Sequence, residues 1–304
     1  MHHHWRWFLL ALAVFSGPVA VAESLTVVGF NVESGGANLN VLASQIEELA
    51  DVDLWGFSEV QDSAWERRFR EAAAVGENAS FDSILGTTGG ADRLQIVYNS
   101  DHVELVRQFE LHAINVGGNV RAPLVGEFRD KASGQSFLFM VNHLYRSQAE
   151  RRHEQARMLN GWARIQTLPV IAVGDYNFDW NAAGGETDHD RGFGEMIADN
   201  VFAWVKPAAI VKTNCSPHNS VLDFVFVSGA AQQWPSSSNI LFPEPSYCSN
   251  AASRSDHRPV LAAFELGPPG TVTPRPTATK EQLLERLESI QRELDSLKRL
   301  IESL

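Results

Sequence analysis

The sequence predicts an α/β fold, and three observations carry that prediction. Short apolar runs rich in Val, Ile and Phe recur along the chain, and runs of this kind read as buried strands. Between several of them lie segments with apolar residues at helical spacing, such as Leu42, Ile46 and Leu49. The chain has 304 residues, enough to bury a sizeable core as one large domain or two.

In order, residues 24–30 read as the first strand, ending at Asn31 before a Glu33-Ser34-Gly35-Gly36 loop. Residues 39–50 have helical period; 53–58 form a second strand with Glu59 at its end. The charged, Ala-rich stretch 63–75 reads as helix, and 81–85, 94–98 and 103–111 read as strands. Residues 121–128 and 135–142 form an antiparallel pair around a turn holding Asp130, Ser133 and Gly134, and His143 closes the second strand. Residues 149–166 follow as a helix. Pro169 to Val173 is a buried strand that Gly174 interrupts. Asp175 and Asn177 come next, and a spacing of two on an extended backbone puts both side chains on one side. A plain Asx turn would use the same two residues. Residues 181–195 form a long polar loop, a kind often functional beside a site. The last strands are 221–228, with Asp223 inside it, and 255–264.

The net charge of −12 argues against a broad basic footprint on nucleic acid. It leaves room for a metal site assisted by a few arginines. Residues 1–22 resemble an export signal: Arg6, an apolar run from Trp7 to Phe15, a Gly17-Pro18 break, and small residues at Ala20 and Ala22. An uncleaved anchor or a buried helix are the alternatives. Export, to a periplasm or the medium, predicts that Cys215 and Cys248 pair as a disulfide. Residues 267–279 are rich in Pro and Thr and read as an extended linker. Beyond it, Leu283, Leu287, Ile290, Leu294, Leu297, Ile301 and Leu304 alternate by four and three, a heptad seam. Residues 280–304 are therefore expected to self-associate as a coiled coil, with packing on the main domain as the alternative.

Polar residues recur at the strand ends: Asn31, Glu59, His143, Asp175, Asn177, Asp256 and His257, with Asp223 within a strand. If those ends share a rim, they converge on one cleft. Here the chain resembles the endonuclease/exonuclease/phosphatase superfamily, which includes pancreatic-type deoxyribonucleases, abasic-site endonucleases, inositol polyphosphate 5-phosphatases and neutral sphingomyelinases. The matching pieces stand in the family's order: Gly-Phe-Asn-Val (29–32), Gly-Phe-Ser-Glu-Val (56–60), Val-Asn-His-Leu (141–144), Gly-Asp-Tyr-Asn (174–177), Leu-Asp-Phe-Val-Phe-Val (222–227) and Ser-Asp-His-Arg-Pro-Val (255–260).

The resemblance implies a four-layer α/β/β/α sandwich over residues 23–266, acting as a phosphodiesterase with Mg²⁺ or Mn²⁺. It implies that Glu59 binds the metal, helped by Asn31 and Asp256, since carboxylate and amide oxygens suit a hard cation. His257 would take a proton from the attacking water, oriented by Asp223. Asp175 and Asn177 would position the nucleophile or steady the phosphate, and His143 would contact a phosphoryl oxygen or assist the leaving group. Each has a bland alternative as a loop cap, a strand-end charge or a core histidine, least comfortable for Asp223 between Leu222 and Phe224. Arg121 and Arg146 are candidate phosphate contacts, while His153 and His189 read as surface residues. The substrate expected is nucleic acid. A phospholipid or small phosphoester is the alternative, with Trp234 a small candidate for membrane contact, and a multimerised envelope binding module is the non-enzymatic one.

Overall fold

The structure, a computed structural model, describes residues 24–249 and 254–266. The export segment 1–22, the linker 267–279 and the heptad segment 280–304 lie outside the described residues.

Two six-stranded sheets form the body. The first contains β1 (Ser24–Asn31), β2 (Leu54–Val60), β3 (Phe81–Leu85), β4 (Arg93–Asn99), β11 (Ser236–Ile240) and β12 (Val260–Glu265), in the order β11-β12-β1-β2-β4-β3. The second contains β5 (Val103–Glu110), β6 (Leu124–Asp130), β7 (Ser136–His143), β8 (Val170–Asn181), β9 (Phe202–Trp204) and β10 (Ser220–Ser228), in the order β5-β6-β7-β8-β10-β9. Both sheets are mixed. β1 and β2 are parallel across a crossover through α1 (Leu39–Glu47). β7 and β8 are parallel across α3 (Ala149–Arg164).

The period-two alternation of the strands builds the layers. Val27 and Leu54 point between the sheets, where they meet Phe139, Val141 and Val173. Their neighbours Val28 and Trp55 point outward and meet Leu42 and Ile46 of α1 and Phe69 of α2 (Ser63–Glu77). On the far side, Met140 and Ala172 pack under Ala156 and Leu159 of α3 and Met196 of α4 (Arg191–Ile197). The result is helix, sheet, sheet, helix, as the resemblance implied. Among the described residues no helix is long and apolar enough to cross a membrane.

Several boundaries differ from the sequence reading. Gly174 does not end its strand: β8 runs on to Asn181, and the glycine takes φ +135° within it. Asn177 sits at φ +53°, so the backbone between Asp175 and Asn177 is not uniformly extended. The final strand begins at Val260, which leaves Asp256 and His257 in the loop before it. The polar loop after β8 gives way to α4, whose first amide groups are capped by the Asp190 side chain through Gly192 N. Trp234 is buried against Phe264 and offers no membrane contact.

Candidate active site

Strand register brings the site together. His143 ends β7 and pairs with Asp175 of β8, and Asp175 pairs with Asp223 of β10. Three ionisable side chains thus lie side by side across neighbouring strands of the second sheet. The first sheet contributes Asn31 at the end of β1 and Glu59 on β2. Pairing of β2 with β4 shifts register between Phe57 and Val60, and Glu59 there takes φ +65°. Such a bulge re-aims a side chain.

The Asn31 amide spans the two sheets, donating to Glu59 Oε1 at 2.9 Å and to Asp175 Oδ2 at 3.1 Å. The backbone amide of Ser34 and its hydroxyl donate to Glu59 Oε2. His143 Nε2 faces the same carboxylates, 4.0 Å from Glu59 and 3.6 Å from Asp175. Burial tends to raise the Glu59 carboxyl, but His143, Asn31 and Ser34 outweigh it and hold it below the usual range. Asp175 is more deeply buried, and burial raises it against the pull of both histidines.

On the other side, His257 Nδ1 lies 2.7 Å from Asp223 Oδ2 and Nε2 lies 3.8 Å from Asp175 Oδ2. Asp256, half-exposed beside it, has an oxygen 3.8 Å from Nε2. Burial alone would lower the imidazole, but Asp223, Asp175 and Asp256 push it up to about 10. The Tyr247 hydroxyl, from the short helix α5 (Ser246–Ser249), donates to the His257 carbonyl. The Ser255 hydroxyl ties the same loop to the Asn31 carbonyl at 2.6 Å. Asn177 braces Asp175, its backbone amide donating to Oδ1 at 2.9 Å, while its side chain donates to Leu144 O.

The residues suit a divalent cation. Glu59 and Asp175 converge on one amide group, and Asp256 adds a third carboxylate nearby. Such a set of hard oxygen donors in a mostly buried setting has too little positive charge of its own. Glu59, Asp92 and His143 form one cluster of candidate ligands, and Asp175, Asp223 and His257 form another.

The structure brings Asn31, Glu59, His143, Asp175, Asn177, Asp223, Asp256 and His257 together. It does not bring in the arginines. Arg121 is buried, donates through Nε to the His143 carbonyl and pairs with Asp92, so it braces the site and is not a free phosphate contact. Arg146 is exposed, and its carbonyl accepts from Arg152 Nη1. His153 is not a surface residue: it is buried beside Asp190, 2.9 Å from its Oδ2. His189 is partly covered, with its ring against Phe193. Cys215 and Cys248 are joined as a disulfide.

Sequence reasoning missed Asp92, whose Oδ1 lies 3.5 Å from His143 Nδ1, and Asn214, whose side chain touches His257. It also missed Glu33, which accepts the Asp256 backbone amide. The Thr213-Asn214-Cys215 run was the one available hint, since a cysteine pinned at one end fixes the residue before it.

Solved structures similar to the chain include a Bacteroides thetaiotaomicron mannosyl-6-phosphatase, 20% identical, with a TM-score of 0.59 over 80% of this chain and 100% of that one. D. rerio TDP2 complexed with a single-strand DNA product is 17% identical, with a TM-score of 0.59 over 80% of this chain and 99% of that one. The human Nocturnin catalytic domain with bound sulfate is 15% identical, with a TM-score of 0.52 over 79% of this chain and 94% of that one. At these identities the likeness is one of fold. No curated protein sequence matches the chain. The Endonuclease/Exonuclease/phosphatase family profile matches residues 28–257, and the chain belongs to that family, as a phosphoester hydrolase with a buried His–Asp site.

Proposed function

We propose that the chain is an exported, divalent-metal-dependent phosphodiesterase that cleaves nucleic acid. The observation that carries the chemistry is the 2.7 Å contact between buried Asp223 and His257, with Nε2 directed toward Asp175. Asp223 holds the Nδ1 proton; a cation bound among the carboxylates that favour the charged ring would offset them and leave the Nε2 lone pair free to accept a proton from water. Asp175, fixed by Asn177 and Asn31, orients that water. His143 Nε2 lies where it can contact a phosphoryl oxygen. Glu59, Asn31 and Asp256 would hold Mg²⁺ or Mn²⁺. When bound, that ion would neutralise charge developing on the phosphoryl oxygens. The likeness of fold to TDP2, solved with a single-strand DNA product, supports the substrate class. The apolar run near the start and the Cys215–Cys248 pair support export.

One observation favours a second reading, a small phosphorylated molecule as substrate. A cleft of about 310 Å³ is lined by Asp179, Asn181, Asp188, His218, Asn219 and Ser220, with no Lys or Arg among them. It opens where β10 begins, three residues before Asp223. One similar structure is a mannosyl-6-phosphatase.

The test is hydrolysis of plasmid DNA, single-stranded DNA, RNA, hexose 6-phosphates and sphingomyelin vesicles, with Mg²⁺, Mn²⁺ or chelator. Cleavage of nucleic acid that needs metal and disappears in His257→Ala is the expected result. Turnover of the sugar phosphate or the lipid alone would replace the nucleic-acid reading. Full activity of His257→Ala would sink the mechanism.

A further inference from the structure

The far end of β8 carries side chains that the mechanism above leaves unused. Tyr176, Phe178 and Trp180 turn into the core under α3 and α4. Of the residues that alternate with them, Asp175 and Asn177 belong to the site, while Asp179 and Asn181 line the cleft of about 310 Å³. β10 supplies the opposite wall. Ser220 pairs with Asn181, and Asp223 pairs with Asp175. Ser220 is three residues from Asp223, which is about 10 Å along an extended strand. Cleft and site are therefore neighbours on the same two strands.

The cleft is held in place by its own bonds. Asn181 Nδ2 donates to Asp188 Oδ2 at 2.7 Å, and Asn181 Oδ1 accepts from the Ala183 amide at 2.9 Å. Asn181 N donates to Asp188 O at 2.9 Å and Ala182 N to Asn219 O at 2.8 Å, which fixes both rims. The groups facing the space between them are left over. Among the described residues, the Asp179 carboxylate, the His218 ring and the Ser220 hydroxyl have no hydrogen-bond partner. Ser220 is only 9% exposed yet lines the cleft, so its hydroxyl opens onto it.

Charge decides what fits. Asp179 and Asp188, with no Lys or Arg beside them, repel a phosphate. Carboxylates accept strongly from hydroxyls. Serine, imidazole and amide groups both donate and accept. Adjacent hydroxyls on a sugar ring match that set. A single cation would meet the two carboxylates and leave most of the 310 Å³ unfilled.

We propose that this cleft is a subsite for a neutral sugar with adjacent hydroxyls, carried on the group esterified to the scissile phosphate. Asp179 and Asp188 accept from the hydroxyls, and Ser220, His218 and Asn219 complete the contacts. Such a diol belongs to the 3′-terminal ribose of RNA or to a hexose. The inference rests on the phosphoester hydrolysis proposed above.

Two matched pairs of substrates test it on the full-length protein with Mg²⁺. One pair is the dinucleotide ApA and ApA with a deoxyribose at its 3′ end. The other is glucose 6-phosphate and 2-deoxyglucose 6-phosphate. Bis(4-nitrophenyl) phosphate, which has no sugar, is the reference. Wild type is compared with Asp179→Ala and Ser220→Ala, whose unfolding temperatures are recorded alongside. The proton resonances of the His218 ring are followed by NMR as methyl ribofuranoside, methyl glucoside or CaCl₂ is added. In one pair, wild type should favour the hydroxylated member by roughly tenfold in kcat/KM, and both variants should lose that preference, mainly through KM. The pair that shows it identifies the source of the sugar. The matching glycoside should shift the His218 resonances in wild type and not in Asp179→Ala. No preference in either pair, or a preference that survives both variants, overturns the inference; hydrolysis of the reference then leaves the phosphoesterase reading standing. Shifts with Ca²⁺ alone overturn it in favour of a cation site. No hydrolysis of any substrate by wild type overturns the phosphoesterase reading and the inference with it.

Discussion

Gly174→Ala should damage stability and activity together. Gly174 lies between Val173, which packs between the sheets, and Asp175, which faces the site. Its φ of +135° is a conformation that side-chain-bearing residues adopt at a cost of about 1–3 kcal/mol. A Cβ at this position would also overlap the Asn142 carbonyl oxygen, a backbone atom of the neighbouring strand that cannot swing away. Overpacking of this kind adds about 1–3 kcal/mol, so the sum is about 2–6 kcal/mol. A domain of this size loses about 2–4 °C in Tm per kcal/mol, which gives a fall of roughly 4–24 °C. Asn142 pairs with Gly174 and His143 with Asp175, so pushing β7 from β8 moves two site residues apart. A misplacement of about 1 Å can cost about a hundredfold in rate. Differential scanning calorimetry and the kcat of the surviving folded protein measure the two effects. Gly161→Ala is the control: it lies in α3, a Cβ there meets nothing within 4 Å, and the exchange should be neutral or mildly stabilising. Wild-type Tm and kcat in Gly174→Ala would refute the reasoning.

Two further perturbations bear on the frame around the site. Asp190 accepts from Arg152 Nη2 at 2.7 Å and from the Gly192 amide, with His153 at 2.9 Å. Burial tends to raise its carboxyl, but Arg152, His153 and Gly192 hold it below the usual range. A depressed carboxyl contributes stability that is present above its unfolded value of about 3.9 and is lost as pH falls through the folded one. Urea midpoints measured from pH 6 down to acid should therefore fall less steeply in Asp190→Asn than in wild type; equal slopes would count against the assignment. The same variant should lose about 3–5 kcal/mol near neutral pH, because Arg152 is left buried without its partner. Cys215→Ser with Cys248→Ser opens a loop spanning 33 positions and should lower unfolding stability by about 3–4 kcal/mol, read from urea titrations without reductant. An unchanged midpoint would show that the unfolded chain gains no freedom from the break.

The sequence disclosed what local rules control. Apolar runs ending in a polar residue placed Asn31, Glu59 and His143 at strand ends, and the lone acid between Leu222 and Phe224 marked Asp223 as needing a partner. What it hid was tertiary. Arg121 looked like an unpaired cation because its partner, Asp92, lies 29 residues earlier in a loop. His153 stands among Arg151, Arg152 and Glu154, a surface-like setting, and is buried only because Asp190 comes to meet it. β11 begins with three serines and has no apolar alternation to announce it; pairing with β12 makes it a strand. α4 is short and carries Gly192 and Gly194, so its propensity is poor, and the Asp190 cap and Phe193 and Met196 in the core hold it. Nothing local marks Asn214 in its polar run; the bridge that sets it opposite His257 is a tertiary feature.

The site is divided between two sheets, and that division decides what can disturb it. Glu59 and Asn31 belong to the first sheet; His143, Asp175 and Asp223 belong to the second. The Asn31 amide, His143 and the His257 loop reach across, and Arg121 ties the His143 carbonyl to Asp92. Their spacing therefore depends on how closely the sheets pack just behind them. There Gly29 and Gly56 face Val173, and a Cβ on Gly29 would come within 3.1 Å of the Val173 Cβ. A side chain on Gly56 would meet both Val173 and Val141. The Gly-Phe-Asn-Val and Gly-Phe-Ser-Glu-Val segments thus have two linked roles. Each supplies a polar residue at the rim and, two or three positions earlier, the glycine that lets the opposite sheet approach. A wider gap would separate Glu59 from Asp175 without altering either side chain, so the packing of the core sets the geometry of the chemistry.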